Sequence, residues 1–400
     1  MVQYAAALSR HPSPVDAVGE CVGEILDTLD GDRPDLVVCF ATPHHLGTFA
    51  DMATGIRKLL EPDSLIGTIS TAVAGGRHEV ETGPALSLWA ANWGGGRARS
   101  VTLDAFATTD GHRIDGWPDD LPTRGTFVLL ADPATFPIGD FLRIGERHAP
   151  GLTIVGGLAA SPPTPASGSL DLRGLAPRDV PGRPALPALL AVDDDVRGRG
   201  AVGVVIDDSV PVRTVVSQGC RPIGQPFTIT RAEHNVIQEL AGQPPLERLR
   251  TTVAGLSDTE HDLLRHGLHV GLVVDEHRVE FGRGDFLVRN LVGADDTTGA
   301  IAVGEAVATG QTVQFHVRDA ASADEDLAAL LAPVDGASAL LFTCAGRGHD
   351  LFGVADHDVD LVQDRLGTVP LAGMACAGEI GPIAGRPFLH GFTASVAVFG

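Results

Sequence analysis

Short apolar runs bounded by turn residues recur along the chain, and between paired runs lie stretches with helical spacing. The first unit runs from Leu36-Val37-Val38-Cys39-Phe40 through a helical stretch at 46 to 60 to Leu65-Ile66-Gly67-Thr68-Ile69-Ser70, and then through β-rich segments at 85 to 91 and 100 to 107. The second has Phe127-Val128-Leu129-Leu130-Ala131, a helix near 138 to 148 and Leu152-Thr153-Ile154-Val155-Gly156-Gly157, with further strands at 201 to 206 and 212 to 216. The third has Ala339 to Cys344, a helix near 356 to 366, Val369 to Cys376 and a last strand from Gly391 to Phe399, one strand fewer than the others. Runs too brief for a helix read as buried strands, and a helix between two of them makes a β-α-β element. The fold class expected is therefore mixed α/β. Repeated β-α-β-β units form mixed β-sheets with flanking helices, and two halves pack as a layered sandwich.

Interruptions in this pattern suggest the domain organisation. Residues 1–34 read as an amino-terminal extension, 35–226 as one domain and 227–400 as another. The first contains a Pro/Gly/Arg-rich insertion at 161–199 that ends in Asp193-Asp194-Asp195 and reads as an irregular surface segment. The segment Ser217 to Pro226 breaks the periodicity. Beyond it the spacing predicts a helix from Arg231 or Ala232 to Leu240, another from Leu246 onward, and strands at 268–274, 286–292 and 312–317.

Composition narrows the chemistry. Acidic residues number 51 against 29 basic ones, a formal charge of −22, which excludes a nucleic-acid binder held by phosphate contacts. Lys58 is the sole lysine, so phosphate-loop hydrolysis, Schiff-base and pyridoxal chemistry drop out and arginine becomes the cationic ligand-holder. Five cysteines without C-x-x-C spacing suit a reduced interior. The start of the chain lacks a signal-peptide pattern and no apolar run reaches membrane-spanning length, so a cytoplasmic protein with no membrane partner is expected.

Three glycine-bounded strand ends could form a polar pocket: Gly67 to Ala72 with Ser70 and Thr71, Cys344-Ala345-Gly346-Arg347-Gly348, and Gly373 to Glu379 with Cys376 and Gly378. Ligands in open sheets bind where parallel strands end, although each glycine could simply turn the chain. Arg347 and Glu379 suit the two ends of a zwitterion, or each other as a structural bridge. Arg221, Arg289 and Asn290 are secondary candidates, and Asn235 is either a buried polar anchor or an exposed position on its expected helix.

Cys344 and Cys376 also admit a thiolate nucleophile, with His357 or His390 as base and Glu379 as orienter, against the commoner role of cysteine as a small apolar residue. Asp356-His357-Asp358 could suggest a metal, but neighbouring side chains on a helix point apart, and the acids suit a helix amino terminus. His44, His45, His261, His266 and His269 lack zinc-site spacing, and no metal is expected.

Several segments, in this order, resemble the FIST domain family. They are Ser217 to Gly224 followed by Asn235-Val236-Ile237, Leu341 to Gly348, Asp356-His357-Asp358, and Pro370-Leu371-Ala372-Gly373 to Gly378-Glu379-Ile380-Gly381, with amino-terminal counterparts at 65–72 and 155–159. The resemblance covers about 35 to 400, as an amino-terminal and a carboxyl-terminal half. It implies an intracellular sensory module that binds a small ligand, an amino acid or a derivative; together with the glycine-flanked arginines, the expectation is an anionic or zwitterionic metabolite bound between the halves. The resemblance also implies output to a separate signalling protein such as a kinase or cyclase. A stand-alone cytoplasmic sensor is thus the leading expectation, with a binding role favoured over an enzymatic one. A cysteine-dependent hydrolase or transferase using Cys344 or Cys376 is the alternative. No cofactor is expected. Some relatives bind haem and sense nitric oxide, but no histidine here falls in a motif for that role, which leaves a haem sensor the lesser alternative.

Overall fold

The computed structural model describes residues 2–109, 111–160, 188–278 and 280–400. In chain order, the first repeat comprises β1 (Gln3–Ser9), α1 (Pro14–Thr28), β2 (Leu36–Ala41), α2 (Phe49–Leu60), β3 (Ser64–Ile69), the hairpin β4 (Val73–Gly75) and β5 (His78–Val80), β6 (Leu86–Asn92), β7 (Ala98–Thr108) and β8 (Gly111–Asp115). The second comprises β9 (Gly125–Ala131), α3 (Ile138–His148), β10 (Leu152–Ala159), β11 (Leu190–Val192), β12 (Asp195–Arg197), β13 (Ala201–Asp207) and β14 (Val212–Gln218). There follow β15 (Cys220–Glu233), β16 (Val236–Leu240), α4 (Pro245–Ala254), α5 (Asp258–Leu263), β17 (Leu268–Val273), β18 (Phe286–Ala294), β19 (Ile301–Val303), β20 (Thr312–Arg318) and α6 (Ala320–Leu331). The third repeat comprises β21 (Ser338–Cys344), α7 (His349–Phe352), α8 (His357–Leu366), β22 (Leu371–Ile383), β23 (Arg386–His390) and β24 (Thr393–Phe399).

Two compact units result, and they are not consecutive in sequence. One gathers the described residues of Met1–Pro162 and Ala185–Ser217 with Leu327–Gly400; the described residues of the other are Gln218–Asp326. The boundary expected at 226/227 falls inside β15.

The first unit is the layered mixed α/β arrangement. Its smaller sheet has the order β1-β6-β2-β3-β11-β12, and its larger sheet follows β14-β24-β21-β22-β10-β9-β13-β7-β8, with β23 and the β4–β5 hairpin also joined to β22. Each repeat contributes a parallel pair, β2 with β3, β9 with β10 and β21 with β22. The apparent strand deficit of the third repeat has a topological explanation. Strand β7 of the first repeat pairs with β13 of the second, and β14 of the second lies beside β24 of the third, while β1 fills the equivalent place beside β6. A single core holds residues of both sheets, among them Phe40, Trp89, Val128, Val204, Phe342 and Met374. Helices α1 and α2 cover the smaller sheet, whereas α3 and α8 pack on the larger one. Strands buried on both faces read as unbroken apolar runs, and for this reason they were visible in the sequence.

The second unit is a closed barrel, β15-β16-β19-β18-β17-β20. Here one expectation fails: residues 231–240 form the ends of β15 and β16, not a helix. Ile237 and Leu240 are both fully buried three residues apart, which imitates a helical stripe. The ladder between β15 and β16 is irregular around Arg231, and His234 adopts φ +53°, which turns the chain back on itself. The insertion is corrected in part as well. Its residues 161–187 lie outside the described residues, but β11 and β12 form a hairpin at the edge of the smaller sheet, with Leu190 and Ala191 fully buried.

Candidate functional site

Within the first unit the three strand ends meet. The hydroxyl of Ser70, just past β3, donates to the carbonyl of Ala375 in β22, and the Ala375 N–H donates back to the carbonyl of Ala72 at 2.9 Å. Cys344 and Cys376 are register partners on β21 and β22. On the other edge of β22, Gly157 of β10 lies opposite Glu379. Ser70 and Thr71 come from the amino-terminal sequence half and Cys344, Arg347, Cys376 and Glu379 from the carboxyl-terminal one, so this cluster lies where the two halves of the sequence join.

Arg347 is enclosed, and its carboxylate partner is not Glu379. The guanidinium forks onto Asp358 of α8, Nε to Oδ2 at 2.7 Å and Nη2 to Oδ1 at 2.8 Å, with both side chains 0 % exposed. Asp358 also accepts from the Thr343 hydroxyl at 2.8 Å, and His357 Nδ1 lies 3.1 Å away. Arg347 holds Asp358 well below the usual carboxylate range despite the opposing effect of burial. The same guanidinium stands 5.1 Å from the centre of the Phe352 ring, on which the His357 ring stacks at 3.4 Å between centroids. Asp358 is thus the anchor of Arg347 rather than a metal ligand, and among the described residues no group of His, Cys, Asp and Glu is arranged to hold a metal ion.

Glu379 is fully buried in β22. Its Oε2 accepts from both the N–H and the hydroxyl of Thr393, at 3.1 and 2.7 Å. Burial pushes its carboxyl up to about 8, against the lowering effect of Thr393 and of the Arg347 charge. Among the described residues, neither Glu379 Oε1 nor Arg347 Nη1 has a hydrogen-bond partner. Two polar atoms of opposite formal type are therefore left over in one buried cluster. Close by along the chain, Ala345 and Ala377 are exposed and Cys344 and Gly346 partly so.

Two acids that the sequence did not single out, Glu79 and Glu81, brace this arrangement together with Asp356. Glu79 accepts from the N–H of Val359 at 2.9 Å and so caps α8, and its carboxyl is raised by burial and by the charge of Asp358. Asp356 accepts from the Glu79 N–H at 2.6 Å, and Glu81 accepts from the His349 N–H at 2.9 Å. The only local signal for these contacts is the alternation Glu79-Val80-Glu81, which a solvated strand face would show equally.

The cysteines differ in setting. Cys376 is fully buried, with its thiol well above the usual range through burial, an environment that disfavours a thiolate at neutral pH. Cys344 is partly exposed. The remaining candidates, Arg221, Asn235, Arg289 and Asn290, belong to the barrel unit and find partners there. Arg221 pairs with Asp319 at 3.5 Å and Glu260 at 3.6 Å, and Arg289 pairs with Glu305. Asn235 sits in the β15–β16 turn, where its side-chain amide donates to the Val303 carbonyl at 3.0 Å. Asn290 is the exposed register partner of His269.

Comparison with known proteins gives these features a family. The FIST N domain matches residues 35–243 and the FIST C domain residues 245–382. An uncharacterized protein of Mycobacterium bovis is 43 % identical over 394 residues, which is 97 % of this chain and 96 % of its own. An uncharacterized protein of Mycobacterium tuberculosis is 41 % identical over 404 residues, covering 100 % of both. Among the described residues, no helix is long and apolar enough to cross a membrane.

Proposed function

Since the chain belongs to the FIST family through both its FIST N and FIST C domains, whose members are associated with small-ligand sensing in signal transduction, we propose that it is a cytoplasmic sensor for a small anionic or zwitterionic metabolite. An amino acid or a close derivative fits this description, and occupancy would be passed to a separate signalling protein. The observation that carries the reading is the pair of buried, unpartnered atoms, Arg347 Nη1 and Glu379 Oε1, whose residues lie close along the chain to the exposed Ala345 and Ala377. Buried polar groups are almost always satisfied, so a site that leaves two of them open in one cluster is suited to a ligand that completes them. Ser70 and Ala375 give such a ligand a route to a signal, because their hydrogen bond ties the end of one sheet to a strand of the other. A ligand that prefers one arrangement of these ends shifts the population toward it.

A thermal-shift screen of amino acids, peptides and organic acids against the purified chain tests the proposal. At least one class should raise the melting temperature, and the same compound should act weakly on a Glu379→Met variant. A screen without any stabilising compound rejects the sensor reading.

A further inference from the structure

The balance of charges in the cluster specifies which end of a ligand it holds. Among the described residues Arg347 is the cluster's one buried arginine or lysine, and Asp358 neutralises that charge through two hydrogen bonds. The cation that acts on Glu379 is this same Arg347. The surroundings of Glu379 are Thr393 on β24, its register partners His390 on β23 and Gly157 on β10, Cys376 on its own strand, and Arg347 and Cys344 from the β21 end. The His390 ring is engaged with the Gly381 carbonyl at 2.9 Å. Both hydrogen bonds that reach Glu379 from other residues fall on Oε2. An ionised carboxylate so placed would be a buried charge with one oxygen unsolvated, an arrangement proteins avoid by protonation.

We infer that Glu379 is a neutral acid whose Oε1 hydroxyl and the Nη1 of Arg347 are two hydrogen-bond donors converging on one acceptor, so the cluster takes the carboxylate or an equivalent oxyanion of its ligand and has no place for an ammonium group there. This rests on the cluster being the ligand site. It replaces the division of labour expected from the sequence, in which Glu379 held an amine. The elevated pKa of Glu379, about 8, agrees with the charge count. The acid is protonated through the neutral range, whereas a monocarboxylate ligand is ionised there. Binding therefore proceeds without proton exchange near pH 6 and requires uptake of one proton above pH 8, where affinity falls by up to about tenfold per pH unit.

The test uses the full chain with acetate and propionate as anionic probes, methylammonium as the cationic probe and sodium chloride as control. Thermal shift and titration calorimetry are run at pH 6 and pH 9 in buffers of different ionisation enthalpy. The inference expects stabilisation by the carboxylates at pH 6, a weaker effect with proton uptake at pH 9, and nothing beyond the control from methylammonium. Glu379→Gln, whose amide can still donate, should keep carboxylate binding and lose its pH dependence, whereas Glu379→Met should lose binding at both values. Stabilisation by methylammonium that grows with pH, or no carboxylate effect in the wild-type chain at millimolar concentration, overturns the inference. A metabolite from the screen that acts equally on wild type and Glu379→Met instead overturns the placement of the site. Where a variant fails to fold, the wild-type pH profile alone decides.

Discussion

The side chain of Ser70 and the backbone carbonyl of Ala375 join two sheets through one buried hydrogen bond, and the N–H of the same Ala375 closes onto Ala72. A strand end from the first repeat is thereby fixed to β22, the strand that also carries Cys376 and Glu379. Ser70 is 0 % exposed, so no water replaces its hydroxyl when it is removed.

Ser70→Ala should cost about 1–2 kcal/mol, because the Ala375 carbonyl loses a buried donor. The expected signature is a lower midpoint in urea together with a smaller ligand-induced thermal shift. An unchanged ligand response would separate this hydrogen bond from the site.

Asp358→Asn should be among the most damaging single changes in the chain. It leaves the Arg347 guanidinium buried without its counter-ion, for which about 3–5 kcal/mol is typical. Adding Arg347→Met to the same chain removes the stranded charge, so the double variant should be more stable than Asp358→Asn alone. Denaturant midpoints of the two single variants and the double variant measure this coupling.

Gly157 is constrained by its neighbour on β22. A Cβ at this position would lie 2.3 Å from Cys376 Sγ and 3.2 Å from Cys376 Cβ. Gly157→Ala should destabilise by about 1–3 kcal/mol through overpacking. In a Cys376→Ala background the sulfur is gone and the penalty should shrink. Equal penalties in the two backgrounds would show that the clash is relieved elsewhere.

Acid should act oppositely on the two units. In the first, the Glu379 carboxyl is raised to about 8, so the folded state holds its proton more tightly than the unfolded chain does. This contribution is complete below the ordinary glutamate range and is lost as the pH rises through about 8. In the barrel, His269 and His316 are register partners whose pKa values burial lowers to about 4. Their contribution is present above the ordinary histidine range and is lost as the pH falls from there toward 4. Hydrogen exchange corrected for intrinsic rates should therefore show β17 and β20 better protected at pH 8 than at pH 5, and β22 around Glu379 the reverse. The same direction in both units would contradict these assignments.

Much of the first unit was legible because its strands are buried on both faces. Leu36 to Phe40, Phe127 to Ala131 and Ala339 to Phe342 need an apolar residue at every position, and such runs stand out without knowledge of their partners. The glycine-flanked strand ends were legible for a related reason, since Gly67 and Gly373 lie against the backbone of a neighbouring strand where a Cβ would collide. The barrel was less so: Ile237 and Leu240 carry helical spacing, and only closure with β15 and β19 makes them strand residues.

By itself the sequence determined the three β-α-β repeats, the family, the acidic surplus and the dependence on arginine for any cationic contact, all of which follow from local pattern and composition. The tertiary structure alone decided which acid belongs to Arg347. Asp358 and Glu379 both follow it in the sequence as candidate partners, but α8 brings Asp358 into a bidentate fork while β22 sets Glu379 against Thr393. The difference between an anion and a neutral acid arises from that placement, because ionisation in a buried site depends on which charge is already taken.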